Sequence, residues 1–169
     1  FTGVVSGNNA IGIDVPWSEI EGNVVETSDA MGAAHCIYLM SAHGTNFSVR
    51  GNLIREWLMN GSAIYAEAPS CTIQGNHVGD VIVDGIELQN VNSSAIDNWL
   101  NSCGRNGITI SASWNKVTGN DIINPVVDGV SITAGSYCTI TENTVSGVAG
   151  ASQVGIDNAG QYNVITGNH

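Results

Sequence analysis

The sequence predicts an all-β fold, a right-handed single-stranded parallel β-helix (solenoid) of about seven coils of 22–29 residues. Two short patterns that recur in step along the chain indicate this fold, and the composition agrees with them. Only 11% of the residues are charged, Gly occurs 21 times, and 43% of the residues are hydrophobic. This composition excludes a charge-rich helical bundle and a disordered chain, and it suits a β-rich repeat protein.

The first repeat is Val/Ile-x-Gly-Asn-x-Val/Ile, as in Ile73-Gln-Gly75-Asn76-His-Val78. Gly and Asn tolerate left-handed backbone angles, so this step turns the chain where a strand ends. Successive asparagines are separated by 29, 24, 22, 22, 23 and 25 residues. We expect their amides to form one hydrogen-bonded ladder at a single corner of the solenoid. The asparagines are Asn23, Asn52, Asn76, Asn98, Asn120, Asn143 and Asn168.

The second repeat is a small or polar residue followed by Ile/Val-x-Ile/Leu/Val, and it keeps step with the first. Alternating apolar residues in such short strands point inward, and stacked strands lie roughly 4.8 Å apart. An antiparallel meander would favour the order Asn-Gly at its turns. Leucine-rich repeats would show an LxxLxL line, which is missing here. The copies begin at Ile37, Ile64, Ile86, Ile108, Val130 and Ile156.

The length predicts one domain over residues 1–169, and Phe at position 1 suggests a fragment of a longer chain. A further Gly-Asn step ends at Asn8, only 15 residues before Asn23. That distance is too short for a coil, so we expect residues 1–20 to form an irregular first turn. The 29-residue coil between Asn23 and Asn52 should carry an insertion near residues 27–34.

The net charge of −11, with only four basic residues, constrains the partners. Nucleic acid and anionic membranes would be repelled, so neither is expected as a partner. The sequence contains no run of about 18 apolar residues that would span a bilayer. A polysaccharide partner, neutral or bridged by a cation, remains compatible with this charge.

The four cysteines show no CxxC pair and no zinc-like spacing. No two of them share a strand position on adjacent coils, so we expect free, inward-facing thiols. Free thiols suit folding in a reducing cytoplasm, and a later release to the outside stays open. The cysteines are Cys36, Cys71, Cys103 and Cys138.

From Ile20 to His169, the Gly-Asn turns and the Gly-Ile/Val-x-Ile/Leu strands resemble the pectate-lyase-like right-handed β-helix repeat. That family includes pectate and alginate lyases, polygalacturonases, uronan epimerases and phage tailspike depolymerases. The resemblance is specific for the fold and unspecific for the reaction. It implies a polysaccharide-acting protein located extracellularly or on a virion surface, and it leaves a homotrimer open as the assembly.

Reaction signatures of several members of this family are missing from the sequence. The Asn-Thr-Asp, Asp-Asp, Gly-His-Gly and Arg-Ile-Lys set of polygalacturonases is absent, as is the Asp-Pro-His-Asp signature of uronan epimerases. Pectate lyases need a basic residue near calcium-binding acids, and four basic residues leave few candidates. A tailspike or a glycoside hydrolase therefore fits better than a lyase.

The resemblance places an active groove along the sheet built from the second repeat, and alternation identifies the outward side chains there. Glu67 and Glu87 fall on adjacent coils with Cα atoms roughly 8 Å apart, within the separation of inverting glycosidases. With Asp84 they resemble the acidic triad of some tailspike endoglycosidases. We assign Glu87 as general acid and Glu67 or Asp84 as general base. The alternative is that all three are ordinary solvated acids.

Four further residues are candidate substrate-binding groups: Tyr38, Tyr65, His35 and Gln89. Tyrosine rings on adjacent coils can bind the apolar face of a sugar, although aromatic ladders also form for stability alone. No cofactor is expected. Calcium at Asp80, Asp84 and Asp128 stays open without support from a loop of alternating acids. The rival function is a non-catalytic structural or adhesive glycan-binding solenoid, and a metal-delivery β-helix is a weaker third.

Overall fold

A computed structural model describes residues 10–26, 35–42, 44–56, 60–148 and 154–169. The described chain forms three parallel sheets, because each coil contributes one strand to each sheet in turn. Sheet A contains β1 (Ile11–Ile13), β4 (Ile37–Leu39), β7 (Ile64–Ala66), β10 (Ile86–Leu88), β13 (Ile108–Ile110), β16 (Val130–Ile132) and β19 (Ile156–Asn158).

Sheets B and C complete the three faces of the solenoid. Sheet B contains β2 (Glu19–Glu21), β5 (Ser48–Arg50), β8 (Thr72–Gln74), β11 (Ser94–Ile96), β14 (Lys116–Thr118), β17 (Thr139–Thr141) and β20 (Val164–Thr166). Sheet C contains β3 (Val24–Glu26), β6 (Leu53–Arg55), β9 (His77–Val81), β12 (Trp99–Cys103), β15 (Asp121–Ile123) and β18 (Thr144–Ser146). No helix of the described residues has the length and apolar character to cross a bilayer.

The predicted parallel β-helix is confirmed, with about six turns where the sequence predicted about seven coils. Six turns carry all three strands, and a seventh contributes only β19 and β20. The irregular start is shorter than expected, since β1 already pairs in register with β4 and β2 with β5. Residues 1–9 and the predicted insertion at 27–34 lie outside the described residues.

The core is a stack of aliphatic side chains that follows the predicted alternation. In sheet A the first and third residues of a strand point inward, as Ile86 and Leu88 do, and both are fully buried. In sheets B and C the central residue points inward instead, as with Ile73 and Leu100. Most short strands therefore bury one or two apolar side chains, except those of the terminal coils, such as β19 and β20, and stacking the coils joins the buried side chains into one continuous core.

Glycine before the sheet A strands permits the close approach of neighbouring coils. A Cβ atom on Gly107 would lie 2.4 Å from Ile122 Cγ2 and 2.7 Å from the backbone oxygen of Gly129. A side chain of any size would have to displace one of these atoms. This steric limit explains why the second repeat so often begins with Gly.

The asparagine ladder is confirmed, and it runs through all seven turns from Asn23 to Asn168, of which five are Gly-Asn and two have Asp97 or Glu142 before the asparagine. Each Oδ1 accepts hydrogen bonds from the backbone N–H and the Nδ2 of the asparagine one coil earlier, at 2.8–3.0 Å. Asn98 Nδ2 also donates to the carbonyl oxygen of Ile73 at 3.0 Å. The ladder thus satisfies buried backbone groups that the turn leaves without strand partners.

At another corner, between sheets A and B, one residue of every coil has left-handed backbone dihedral angles with positive φ. Three coils place Asn46, Ser70 and Asn92 there, with φ of 60–61°. Trp17, Trp114, Tyr137 and Tyr162 occupy the same corner position with φ of 63°, 65°, 57° and 56°. Left-handed backbone costs about 1–2 kcal/mol for a residue with a side chain. Asn adopts this left-handed conformation at a lower energetic cost than a bulky residue does.

All four cysteines are free and buried, as predicted. Burial disfavours the thiolate, and it raises the pKa of Cys71 to about 11 and that of Cys103 to about 12. The pKa values of Cys36 and Cys138 are raised for the same reason. The thiolate is the reactive form, so these side chains should be chemically inert in the folded state.

Replacing Asn98 by Ala should lower the free energy of unfolding by about 2–6 kcal/mol. The substitution leaves the backbone N–H of Asn76 buried without a partner, at about 1–3 kcal/mol, and it removes the hydrogen bonds of the Asn98 amide to Asn120 Oδ1 and to the carbonyl of Ile73, at about 0.5–1.5 kcal/mol each. Asn101→Ala on the outer face of sheet C is the matched control and should change stability by about 0.5 kcal/mol or less. Chemical denaturation measures both variants, and equal losses would contradict the role of the ladder.

Maleimide should modify none of the four thiols in the native protein and all four once the protein is unfolded, without a reductant. Burial and raised pKa values both oppose the reaction in the folded state. Mass spectrometry after timed labelling counts the modified cysteines. Rapid labelling under native conditions, or fewer than four labels after unfolding, would show exposed or paired cysteines.

Candidate functional site

The candidate site lies on the outer face of sheet A, where three successive strands bring the predicted residues together. Tyr38 on β4 pairs with Tyr65 on β7, and Tyr65 pairs with Glu87 on β10. Glu67 and Gln89 follow the ends of β7 and β10 and form a second outward column. The predicted register of these columns agrees with the strand pairing.

An aromatic cluster forms the amino-terminal part of the site. The imidazole of His35 stacks on the ring of Tyr65, with ring centroids 4.0 Å apart and an angle of 24°. Tyr38 meets Tyr65 edge to face at 5.4 Å. His35 Nδ1 accepts a hydrogen bond from the backbone N–H of Ser62 at 3.0 Å. Because His35 covers one face of Tyr65, only the rest of that ring is open to a ligand.

Charge near these rings affects the pKa values of the cluster. Burial lowers the pKa of His35, and the negative charge of Glu67 partly opposes this effect. The hydroxyl of Tyr38 donates to Glu67 Oε2, and this bond to a carboxylate raises the pKa of Tyr38 to about 12. Burial raises the pKa of Tyr65, with further contributions from Glu87 and Glu67. Both tyrosines are therefore neutral near pH 7.

Glu87 is held in place by two side chains on opposite sides. Ser62 Oγ lies 2.6 Å from Glu87 Oε2, and Gln89 Nε2 donates to Glu87 Oε1. Gln89 Nε2 is also 3.3 Å from Ser111 Oγ, which lies 3.1 Å from Thr133 Oγ1 on the next coil. A strip of connected polar side chains therefore leads from the carboxylate toward the carboxy-terminal coils.

Asp84 occupies a different position from the one expected for a groove residue. It is 1% exposed, and its two carboxylate oxygens accept from Asn106 N at 2.9 Å and Thr109 Oγ1 at 3.0 Å. Burial raises the pKa of Asp84, and these hydrogen bonds together with Arg105 oppose the rise. Asp84 is thus buried behind the outer face of sheet A, where its carboxylate is closed to solvent.

Asp84 belongs to a second ladder, at the corner between sheets C and A. Side chains of this corner accept backbone N–H groups from the following coil, as Asn106 does from Asp128 and Asp128 from Val154. Strand alternation alone, from which the sequence placed Asp84 with Glu67 and Glu87, does not distinguish a side chain that turns toward the neighbouring coil from one that faces solvent.

The open question of calcium gains no support from the geometry. Within the described ranges, no group of three or more His, Cys, Asp or Glu side chains is arranged to hold a metal ion. Asp84 and Asp128 accept backbone N–H groups instead. The chemistry available at the site is therefore that of two carboxylates, Glu67 and Glu87, with neutral hydroxyl, amide and ring groups around them.

The protein is a parallel β-helix, and its candidate site residues Glu67, Glu87 and Gln89 lie on the outer face of sheet A. The chain belongs to the right handed beta helix region family, whose model matches residues 3–145. No curated protein sequence matches the chain.

The fold is also similar to the catalytic unit of a thermostable GH87 alpha-1,3-glucanase from Streptomyces thermodiastaticus. The TM-score is 0.59, and the identity is 18%. The match covers 95% of this chain and 36% of that chain, so this chain spans about a third of the length of the glucanase unit. At this identity the likeness shows the fold alone.

Replacing Glu67 by Gln should lower the pKa of Tyr38 from about 12 toward its reference value of 10.0, because the substitution removes the charge that opposes tyrosinate formation. Ultraviolet absorbance of tyrosinate, titrated against pH, measures the change, and Tyr38→Phe identifies the Tyr38 component. Glu21→Gln, on the exposed edge of sheet B, should leave the titration unchanged. An unaltered Tyr38 titration in Glu67→Gln would contradict the hydrogen bond.

Proposed function

We propose that this chain acts on a polysaccharide and hydrolyses glycosidic bonds at Glu67 and Glu87. The observation that carries the proposal is the position of these two half-buried carboxylates on one sheet face. They lie on adjacent coils, beside a cluster of aromatic rings. Two carboxylates flanking a scissile bond are the common requirement of glycosidases.

The partners of the two carboxylates support different roles. Glu67 Oε2 accepts a hydrogen bond from the hydroxyl of Tyr38, which orients the carboxylate, and we assign Glu67 as the general base. Glu87 Oε2 faces the hydroxyl of Ser62, and a serine hydroxyl can accept as well as donate. Glu87 can therefore hold a proton on Oε2 while Gln89 continues to donate to Oε1. That arrangement suits a general acid.

The separation of the two residues favours inversion over retention. Glu67 and Glu87 differ by one coil, about 4.8 Å, and by two residues along the strand, about 6.6 Å. Their Cα atoms are then roughly 8 Å apart, and inverting glycosidases hold their carboxyl groups about 6.5–9.5 Å apart. A carboxyl separation equal to that of the Cα atoms would leave room for a water molecule beside Glu67, whereas retaining glycosidases hold their carboxyl groups about 5–5.5 Å apart.

A neutral glucan is the preferred substrate class. The net charge of −11 disfavours polyanions, and no cluster of basic side chains surrounds the two acids in the described structure. The structurally similar protein is named as an alpha-1,3-glucanase, so alpha-1,3-glucan should be among the first substrates tested. Action on an extracellular glycan, as a secreted or virion-surface protein, remains part of this proposal.

One observation favours a second candidate, a non-catalytic glycan-binding or structural solenoid. Both carboxylates are already engaged by neighbouring side chains, and the polar strip continues through Gln89, Ser111 and Thr133. Such networks also stabilise a solenoid without any chemistry. Activity measurements distinguish the two candidates.

Glu87→Gln should reduce turnover by about a hundredfold or more while glycan binding is retained. The amide keeps an oxygen for Gln89 and an NH2 group for Ser62, but it has no proton to transfer. Asp157→Asn, in the same outward column three coils further on, is the matched control and should retain full activity.

Reducing-sugar release from alpha-1,3-glucan, other neutral glucans and bacterial capsules measures the effect. A Glu87→Gln variant as active as the parent would contradict the site. If the parent cleaves none of these glycans, the non-catalytic function replaces the hydrolytic one.

A further inference from the structure

A stack of three exposed aromatic rings stands at the corner between sheets A and B, away from the two acids. Trp114 and Tyr137 lie 4.6 Å apart with an interplanar angle of 9°, and Tyr137 and Tyr162 lie 5.2 Å apart at 13°. Their exposed fractions are 58%, 48% and 73%. Each ring sits two residues before a sheet B strand, so the three rings follow one column.

Structural stability alone does not account for these side chains. The same corner of other coils uses Asn46, Ser70 and Asn92 with the same left-handed backbone, and such small polar residues accept it with less strain than Trp or Tyr. Strained residues that are also exposed and apolar are characteristic of sites that bind something. The column therefore holds Trp17 in the first coil, small polar side chains in the next three coils, and large aromatic side chains in the last three, from Trp114 onward.

The stacking geometry identifies which ring surface is open. Tyr137 has a ring against each of its two faces, which agrees with its lowest exposure of the three. Trp114 has Tyr137 on one face, and its other face is directed toward the coil of Asn92, whose short side chain is exposed. The indole thus forms a flat shelf one coil above a polar amide.

We propose that the Trp114 shelf, supported by Tyr137 and Tyr162, is a binding site for neutral glycan that is separate from the two acids. The apolar C–H face of a pyranose ring fits an open indole face, and the amide of Asn92 can hydrogen-bond its hydroxyls. A nucleic acid base would also fit an aromatic face. The net charge of −11 repels a polyanion, however, so neutral glycan is the occupant.

The shelf connects to the polar strip of sheet A. Ser111 lies on the coil of Trp114 and Gln89 on the coil of Asn92, each three residues before its corner residue. Gln89 and Ser111 are hydrogen-bonded at 3.3 Å, and Gln89 also donates to Glu87. A long glycan could therefore contact both sites, although binding at the shelf does not depend on cleavage at Glu67 and Glu87.

The test compares glycan retention by the parent and by Trp114→Asn, Tyr137→Asn and Trp17→Asn. Asn is the residue that this corner holds in other coils, so each variant should fold, and thermal unfolding confirms it. The probes are insoluble alpha-1,3-glucan in sedimentation and soluble starch in affinity electrophoresis, with polygalacturonate as the anionic comparison. Trp17 shares the corner and is 78% exposed but lies four coils before the nearest ring of the stack, so it is the matched control.

Trp114→Asn should weaken retention on a neutral glycan by about three- to tenfold, and Tyr137→Asn by less, because Tyr137 only supports the shelf. Trp17→Asn should bind as the parent does. Tryptophan fluorescence should shift when the same glycan is added to the parent and not when it is added to Trp114→Asn.

Three results would overturn the proposal: no retention of the parent on either neutral glycan, equal losses in Trp114→Asn and Trp17→Asn, or stronger retention on polygalacturonate. If no glycan is cleaved but Trp114→Asn still loses retention, the hydrolytic function fails and the shelf stands. If Glu87→Gln abolishes cleavage while Trp114→Asn binds normally, the shelf fails and the hydrolytic function stands.

Discussion

The amide ladder at the Gly-Asn turn is the interaction on which the rest of this structure depends. Each asparagine satisfies the backbone of the preceding coil and its own turn, so one residue type at one position holds successive coils in register. Coils of different length, such as the one between Asn23 and Asn52, return to the same register at this corner. Insertions are then confined to the other corners, and the three sheets stay aligned.

Because the coils are in register, residues that are one repeat apart in the sequence stack above one another, and this explains how much of the structure could be predicted. The fold, the inward and outward faces of sheet A and the buried free cysteines all follow from the repeat period and strand alternation. What could not be predicted lies at the corners, where alternation ends. Asp84 turns back to accept the N–H of Asn106, because that backbone group lacks a strand partner there. The Tyr38–Glu67 bond is diagonal, so neither column reveals it.

The three stacked aromatic residues recur at the repeat period of the coils, but their residue types are not those expected at a turn. Trp114, Tyr137 and Tyr162 recur at the same spacing as the ladder asparagines that follow them, Asn120, Asn143 and Asn168. The left-handed backbone of their corner is unusual for aromatic residues, and a sequence pattern for turns would not place them there. Spacing, backbone geometry and exposure must be considered together to distinguish these three aromatic residues from the Asn and Ser residues at the same corner of other coils.

Parallel, in-register stacking also limits how two carboxylates can be arranged. Like charges directly above one another in a column would lie about 4.8 Å apart and would repel each other. Here the position beneath Glu87 is occupied by Tyr65, and the other carboxylate, Glu67, is displaced two residues along the strand. The hydroxyl of Tyr38 in turn donates a hydrogen bond to Glu67 Oε2. The diagonal placement thus relieves the repulsion while both carboxylates stay on one sheet face, and the proposed hydrolysis rests on this arrangement.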